Sequence, residues 1–205
     1  MKSLADQIIA HYERHARQWD ADRARTSFTE RAWLDRFLSL LPAGASILDI
    51  GCGSGAPIAR HFIERGFAIT GIDASPTLLS LSRDRFPNHE WIVSDMRTLS
   101  LARTFQGLIA WDSFFHLAHD DQRDMFPIFR QHASDGAALL FTSGPAHGEA
   151  IGTYRDEPLY HASLAEAEYR SLLATNGFDV VAHVAKDPGC GAHTIWLAQL
   201  TQSRR

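Results

Sequence analysis

The chain has 205 residues, 45% hydrophobic and 21% charged, with a formal net charge of −4. Such a composition suits one globular domain with a sizeable core, and it offers no basic surface for nucleic acid or anionic lipid. The two cysteines, Cys52 and Cys190, make no disulfide framework, no apolar run approaches membrane-spanning length, and the start Met1-Lys2-Ser3-Leu4 lacks a signal-peptide core, so a cytoplasmic setting is expected.

Residues 4–18 carry Leu4, Ile8, Ile9, Tyr12 and Ala16 at helical spacing, and the pattern breaks around Trp19-Asp20-Ala21-Asp22. A second helix is predicted over 30–41, with Trp33, Leu34 and Phe37 on one face and Pro42-Ala43-Gly44 ending it. Residues 1–44 thus form a helical extension, either packed on the main fold or closing over a ligand as a lid that carries Tyr12 and Trp19. From residue 45 strands and helices alternate. Strands are predicted at 46–50, 67–72, 90–93, 105–111 and 137–142, with helices at 56–66, 76–86 and 120–132 between them. Residues 143–162 show no clear period and read as an irregular substrate-side insertion, holding His147, Tyr154, Tyr160 and His161. A helix over 163–176 has capping-box spacing at Ser163 and Glu166 and closes at Asn176-Gly177. Two last strands, 178–185 and 193–201, flank the turn-rich Asp187-Pro188-Gly189-Cys190-Gly191. The fold class is α/β, a single Rossmann-like doubly wound sheet over 45–201, mostly parallel with a C-terminal antiparallel strand pair and helices on both faces.

Four acids, Asp49, Asp73, Asp95 and Asp112, each close a predicted strand. In an open α/β sheet the carboxyl ends of the strands carry the ligand. After the first strand comes Gly51-Cys52-Gly53-Ser54-Gly55, a turn that brings backbone and a helix start close to a ligand. Asp73 lies 22 residues after Gly51, the position from which a carboxylate holds ribose hydroxyls. Two nucleoside cofactors remain. A dinucleotide such as NAD satisfies the loose glycine pattern, but Asp49 would repel its pyrophosphate. S-adenosylmethionine has no phosphate and presents an ammonium to Asp49, while Asp95 and Met96 are suited to an adenine ring.

On the residues Leu48-Asp49-Ile50-Gly51-Cys52-Gly53-Ser54-Gly55, Gly71-Ile72-Asp73-Ala74-Ser75 and Ser94-Asp95-Met96, the chain resembles the class I S-adenosylmethionine-dependent methyltransferases over about residues 45–201. The resemblance implies that Gly51, Cys52 and Gly53 lie near the methionine portion with Asp49, that Asp73 holds the ribose, and that Ala74, Asp95 and Met96 surround the adenine. It puts Trp111 near the methionine end, and Tyr12 and Trp19 at the aromatic positions of N-terminal lids in bacterial small-molecule members. Trp111-Asp112-Ser113-Phe114-Phe115 stands where nucleic-acid and protein methyltransferases carry an Asn- or Asp-Pro-Pro-aromatic block, so a small-molecule acceptor is expected. Transfer would be an in-line displacement, with His116, His147 and His161 as candidate bases and Tyr154 and Tyr160 as candidate substrate-orienting groups. Asp112, His116 and His119 have metal-ligand spacing and Cys190-x-x-His193 is half a zinc motif, but a helix start and a hairpin turn account for them, and no metal is expected. An NAD-linked oxidoreductase and a non-catalytic cofactor-binding adaptor are the alternative functions.

Overall fold

The computed structural model describes residues 3–201; Met1, Lys2 and the terminal Arg204-Arg205, too short for a basic tail, lie outside the described residues. Among the described residues, nine strands and six α-helices follow in chain order: α1 Leu4–Arg23, α2 Arg31–Leu38, β1 Ser46–Ile50, α3 Ile58–Ile63, β2 Ala68–Asp73, α4 Pro76–Arg85, β3 Glu90–Val93 and β4 Phe105–Ala110. Then come α5 His119–His132, β5 Ala133–Ser143, β6 Gly148–Tyr154, β7 Glu157–Ser163, α6 Glu166–Thr175, β8 Phe178–Asp187 and β9 His193–Leu200. Seven of the strands form one sheet in the order β3-β2-β1-β4-β5-β9-β8. Strands β3, β2, β1, β4 and β5 run parallel, and β9 and β8 are antiparallel additions. All five parallel strands therefore end at one edge, and β9, running the other way, begins there.

The central strands read as apolar runs because both faces are covered. Alternate residues feed two cores. Leu48 and Ile50 join Phe114, Phe126, Phe129, Phe141, Tyr169 and Trp196 on one face, the side of α5 and α6. Ile47, Ile69 and Ile109 join Trp33, Leu34 and Phe37 of α2 and Phe62 of α3 on the other.

Three expectations need correction. Helix α1 does not break at Trp19-Asp20-Ala21-Asp22 but continues to Arg23. The acids there stay on a helix because they meet cations elsewhere, Asp20 with Arg85 and Asp22 with Arg155. Residues 143–162 are not irregular: β5 extends to Ser143, and β6 and β7 pair as a separate two-stranded hairpin. Its turn residues Arg155 and Asp156 have φ of 53° and 62°, the left-handed pair that a tight hairpin requires. One face rests on α1 through Tyr160 and Ala162, while most of β6 is not buried, so no strong alternation marks it in the sequence. The capping box at Ser163 is also not made. Helix α6 starts after Ala165, and the Ser163 hydroxyl turns to the carbonyl oxygen of Gly144, 3.1 Å away.

Candidate active site

The carboxyl edge of the sheet and the inner face of α1 enclose a cavity of about 410 Å³. All eleven residues expected at the cofactor, from Tyr12 and Trp19 on α1 to Trp111 after β4, line it. The four strand-closing acids converge there as well. Because the sheet order is β3-β2-β1-β4, Asp95 and Asp112 stand at opposite ends of the row with Asp73 and Asp49 between them, roughly 14 Å apart at the usual strand spacing.

The glycine turn is clasped to β2. The amides of Gly51 and Cys52 both donate to the Ile72 carbonyl, at 2.8 and 2.9 Å, and the Gly53 amide donates to Asp73 Oδ2 at 2.9 Å. These three N–H groups are thus committed within the protein and form no cradle for a phosphate. What the turn offers instead is close approach. A Cβ on Gly51, whose φ is +77°, would sit 2.3 Å from Ser113 Cβ. Ser113 in turn donates to the Ile50 carbonyl at 2.7 Å, locking the segment after β4 against the turn.

Asp49 is buried, and no protein group among the described residues hydrogen-bonds to its carboxyl. Burial, reinforced by the nearby Asp73 carboxylate, pushes it up to about 7. Asp73 is also raised by burial, although its two oxygens accept from the amides of Ser75 (2.8 Å) and Gly53 (2.9 Å). Two acids side by side, Asp49 buried without a donor and Asp73 half-buried, create a demand for a cation or for hydrogen-bond donors from a ligand.

Asp95 is less free than expected. It caps a single 3-10 turn, Met96–Thr98, and both of its oxygens are held by Arg97, whose guanidinium also reaches Asp121 at 3.4 Å. Met96 points its Cε toward the glycine turn, 3.3 Å from where a Gly51 Cβ would stand. The Cys52 thiol is driven well above its ordinary range by burial and by Asp49 and Asp73, which disfavours the thiolate.

Only one of the three candidate bases reaches the cavity. His116 lines it, with Nδ1 2.8 Å from the Tyr160 carbonyl and Nε2 2.8 Å from the Tyr12 hydroxyl. A carbonyl only accepts, so Nδ1 carries the proton and Nε2 accepts from Tyr12. Burial pushes this imidazole down to about 4, which makes it a weak base, and its one unprotonated nitrogen already accepts from Tyr12. His147 and His161 line a second groove, between β5 and the hairpin, away from the acids. His147 stacks on His119 with ring centroids 4.6 Å apart, and His161 packs on Phe115 and His116. Tyr154 and Tyr160 line neither space; their hydroxyls donate to Asp22 (2.9 Å) and Glu149 (2.7 Å). Asp112, His116 and His119 do not gather around one point, since His119 Nε2 turns to the carbonyls of Gly148 and Ser163. Apart from them, His11, His15 and Glu157 lie close enough together to share an ion, but Arg14 already neutralises that carboxylate.

Two pairs in the cavity wall escaped the sequence reading. Asp112 meets His193 Nε2 at 2.9 Å, joining the end of β4 to the start of β9. Arg23, ending α1, pairs with the buried Glu30. Asp112 stood out as a strand-closing acid, yet nothing local signals a partner 81 residues away.

A family model described as a methyltransferase domain matches residues 47–136. A malonyl-[acyl-carrier protein] O-methyltransferase of Serratia marcescens is 34% identical over 171 residues, 75% of this chain and 67% of that protein. Its Salmonella typhimurium counterpart is 30% identical over 137 residues, 65% of this chain, and the chain spans about half (49%) of that relative's length. Among solved structures, Burkholderia thailandensis 1,6-didemethyltoxoflavin-N1-methyltransferase, with 1,6-didemethyltoxoflavin and S-adenosylhomocysteine bound, superposes with a TM-score of 0.76 over 98% of this chain and 92% of that one, at 16% identity. The S-adenosylmethionine-bound amino pentose methyltransferase of Micromonospora echinaspora gives 0.70, covering 90% and 96%, at 19% identity. The chain belongs to the S-adenosylmethionine-dependent methyltransferases of the class I fold.

Proposed function

We propose that this chain binds S-adenosylmethionine in the cavity at the sheet edge and transfers its methyl group to a small molecule. The observation that carries the reading is Asp49: a buried carboxylate with no donor, facing a ligand space beside Asp73. A ligand with an ammonium and a sulfonium relieves that demand, whereas a pyrophosphate worsens it and finds the glycine-turn amides already taken. The cofactor supplies an electrophilic methyl group. Asp49 would hold the cationic end, Asp73 would use its remaining lone pairs for the ribose, and Ala74, Met96 and Asp95 would flank the base, with Asp95 first giving up part of its bond to Arg97. Helix α1 forms one wall of this space and is tied over it by Glu13, which accepts from Ser75 and Thr77 at the start of α4, and by the Asp20–Arg85 pair. It serves as the cover, Tyr12 and Trp19 closing the ligand from water. No described helix is long and apolar enough to cross a membrane, and the two free thiols support the finer reading of a reducing, cytoplasmic setting.

The test is calorimetric titration with S-adenosylmethionine, S-adenosylhomocysteine and NAD in parallel. Micromolar-range binding of the first two and none of NAD is expected. NAD binding alone would return the chain to the oxidoreductase reading, and no binding of any would leave the adaptor. Asp73→Ala should weaken S-adenosylhomocysteine by about 1–3 kcal/mol through lost charge-assisted hydrogen bonds. Unchanged affinity would remove the ribose assignment.

A further inference from the structure

The cavity continues beyond the row of acids. At its far end stand Arg23, Glu30, Trp111, Asp112 and His193. Here α1, the segment before α2, the end of β4 and the start of β9 meet. The Glu30 carboxylate lies close enough to contribute to the charge on His193. Resting on the methyltransferase reading above, we infer that this end is the acceptor subsite, that Asp112 receives the acceptor's N–H, and that the acceptor is an amine.

The cations here are already spent. His193 has one ring nitrogen 2.6 Å from the Cys190 carbonyl and the other on Asp112. The carbonyl takes Nδ1–H, and the bond to Asp112 outweighs burial and lifts the imidazole to about 9, so both nitrogens donate. Arg23 is paired with Glu30. The carboxylates, by contrast, keep unused capacity: Glu30 Oε2 is buried with no partner, and Asp112 is part-exposed to the cavity. Trp111 Nε1, buried and also without a partner, adds one donor to these acceptors, so the subsite suits a neutral ligand that brings hydrogen-bond donors and can accept one in return.

Donors occur on alcohols and on amines, and the chemistry separates them. An alcohol must lose its proton to attack, which calls for a base near neutrality. No histidine supplies one here: His116 has both nitrogens engaged, His193 is an imidazolium, and the other two candidate histidines lie in the second groove; Asp49, though raised to about 7, is taken by the cofactor's cationic end on the reading above. A neutral amine attacks through its own lone pair, and an alkylamine that arrives as the ammonium first gives its proton to Asp112. Its nitrogen forms the new bond to carbon as the carbon–sulfur bond breaks and sulfur keeps that pair. The surplus proton on nitrogen then passes to Asp112 and on to solvent. His193 is the positioning residue, aiming the Asp112 carboxylate through the 2.9 Å contact of its Nε2. The backbone supports this aim: Asp112 has φ of +49°, a left-handed conformation unusual outside glycine, and Thr142 Oγ1 accepts its amide at 2.9 Å.

The probes are aniline and benzylamine against benzyl alcohol and benzoate, incubated with the full chain and carbon-13-methyl S-adenosylmethionine, with product read by mass. Transfer to an amine at least about tenfold above the alcohol and the acid is expected. Asp112→Asn, a residue at home at positive φ, should lower kcat/KM for the amine on the order of a hundredfold, with S-adenosylhomocysteine affinity unchanged. His193→Gln should lower kcat more than it raises KM and move the acid limb of the pH–rate profile. Equal or faster methylation of the alcohol or the acid would overturn the assignment, as would an Asp112→Asn chain that methylates amines normally. Should no probe react, the S-adenosylhomocysteine-loaded chain is titrated with benzylamine and benzyl alcohol. Tighter amine binding that Glu30→Gln and Asp112→Asn abolish supports the subsite, and no preference overturns it. Failure of the wild-type chain to bind S-adenosylhomocysteine would instead sink the methyltransferase reading itself.

Discussion

Asp49→Asn is expected to bind S-adenosylmethionine about a hundredfold more weakly than the wild-type chain and yet to melt at a higher temperature without ligand. The two effects have one cause. In the free protein the Asp49 carboxylate is buried beside Asp73 with no donor, so its charged form destabilises the fold. The amide is neutral and removes that cost, by about 1–3 kcal/mol, the scale of an unsatisfied buried polar group. For a chain of this size each kcal/mol is roughly 2–4 °C in Tm. Removing one member of a buried charge pair costs about 2–5 kcal/mol in binding, hence the loss with a cationic ligand. The pH dependence follows from the same group. Its folded-state value of about 7 lies above the ordinary 3.8, so between these values the folded chain holds a proton that the unfolded chain has released. The Asp49 contribution to stability is therefore full below about pH 4 and is lost as pH rises through about 7. A cationic ligand holds the carboxylate ionised, so its affinity rises with pH across the same window and binding near pH 6 releases a proton. Differential scanning fluorimetry from pH 5 to 8, with calorimetry in two buffers of different ionisation enthalpy, measures both. A mutant that melts lower than wild type at pH 8, or wild-type binding with no proton release at pH 6, would show that Asp49 already has a partner.

Gly51→Ala should lose cofactor binding and about 2–5 kcal/mol of stability. The left-handed backbone accounts for about 1–2 kcal/mol of this. The rest is overpacking, typically about 1–3 kcal/mol, because the new Cβ falls 2.3 Å from Ser113 Cβ and 2.7 Å from its Oγ. Ser113 cannot retreat without releasing the Ile50 carbonyl and moving Asp112, its neighbour in the chain. Gly66→Ala is the control. It has φ of +84° but nothing within 4 Å of a new Cβ, so it carries backbone strain alone. Urea denaturation of both variants separates the two contributions, and equal costs would refute the close-approach account.

The parallel strands and their acids were legible because each sheet position is written locally. An apolar run such as Ile47-Leu48-Asp49-Ile50 carries its own partner-independent pattern, and an acid at its end goes wherever the strand ends. The hairpin β6–β7 was not, because a two-stranded sheet resting on one helix buries few residues and Gly148 and Gly152 weaken its strand character. Within the site, the positions of the cofactor candidates that follow strands could be read from strand order, while Tyr12 and Trp19 on α1 came from the resemblance alone; what already occupies each position could not be read. Arg97 on Asp95 and the Ile72 carbonyl under the glycine amides are three-dimensional facts. The histidines failed for the same reason. His147 and His161 followed strand β5 in sequence, and a hairpin carried them to the other groove. His193 came from the far end of the chain because β9 runs antiparallel and starts at the edge where the others stop.

The stretch matched by the family model, residues 47–136, contains Asp49, Gly51, Asp73 and Asp95. Arg23 and Glu30 come before it and His193 after it. On the proposed assignment, the nucleoside end of the cavity is inherited as one continuous block, and the acceptor end is assembled largely from the two flanks. Divergence can then act on the flanks while the sheet-borne groups stay, although α1 also covers the cofactor and Trp111 and Asp112 lie inside the block. A descendant of this chain acquires a new acceptor by rewriting α1, the turn before α2 and the first residues of β9, and every group that meets the cofactor from the sheet stays as it was.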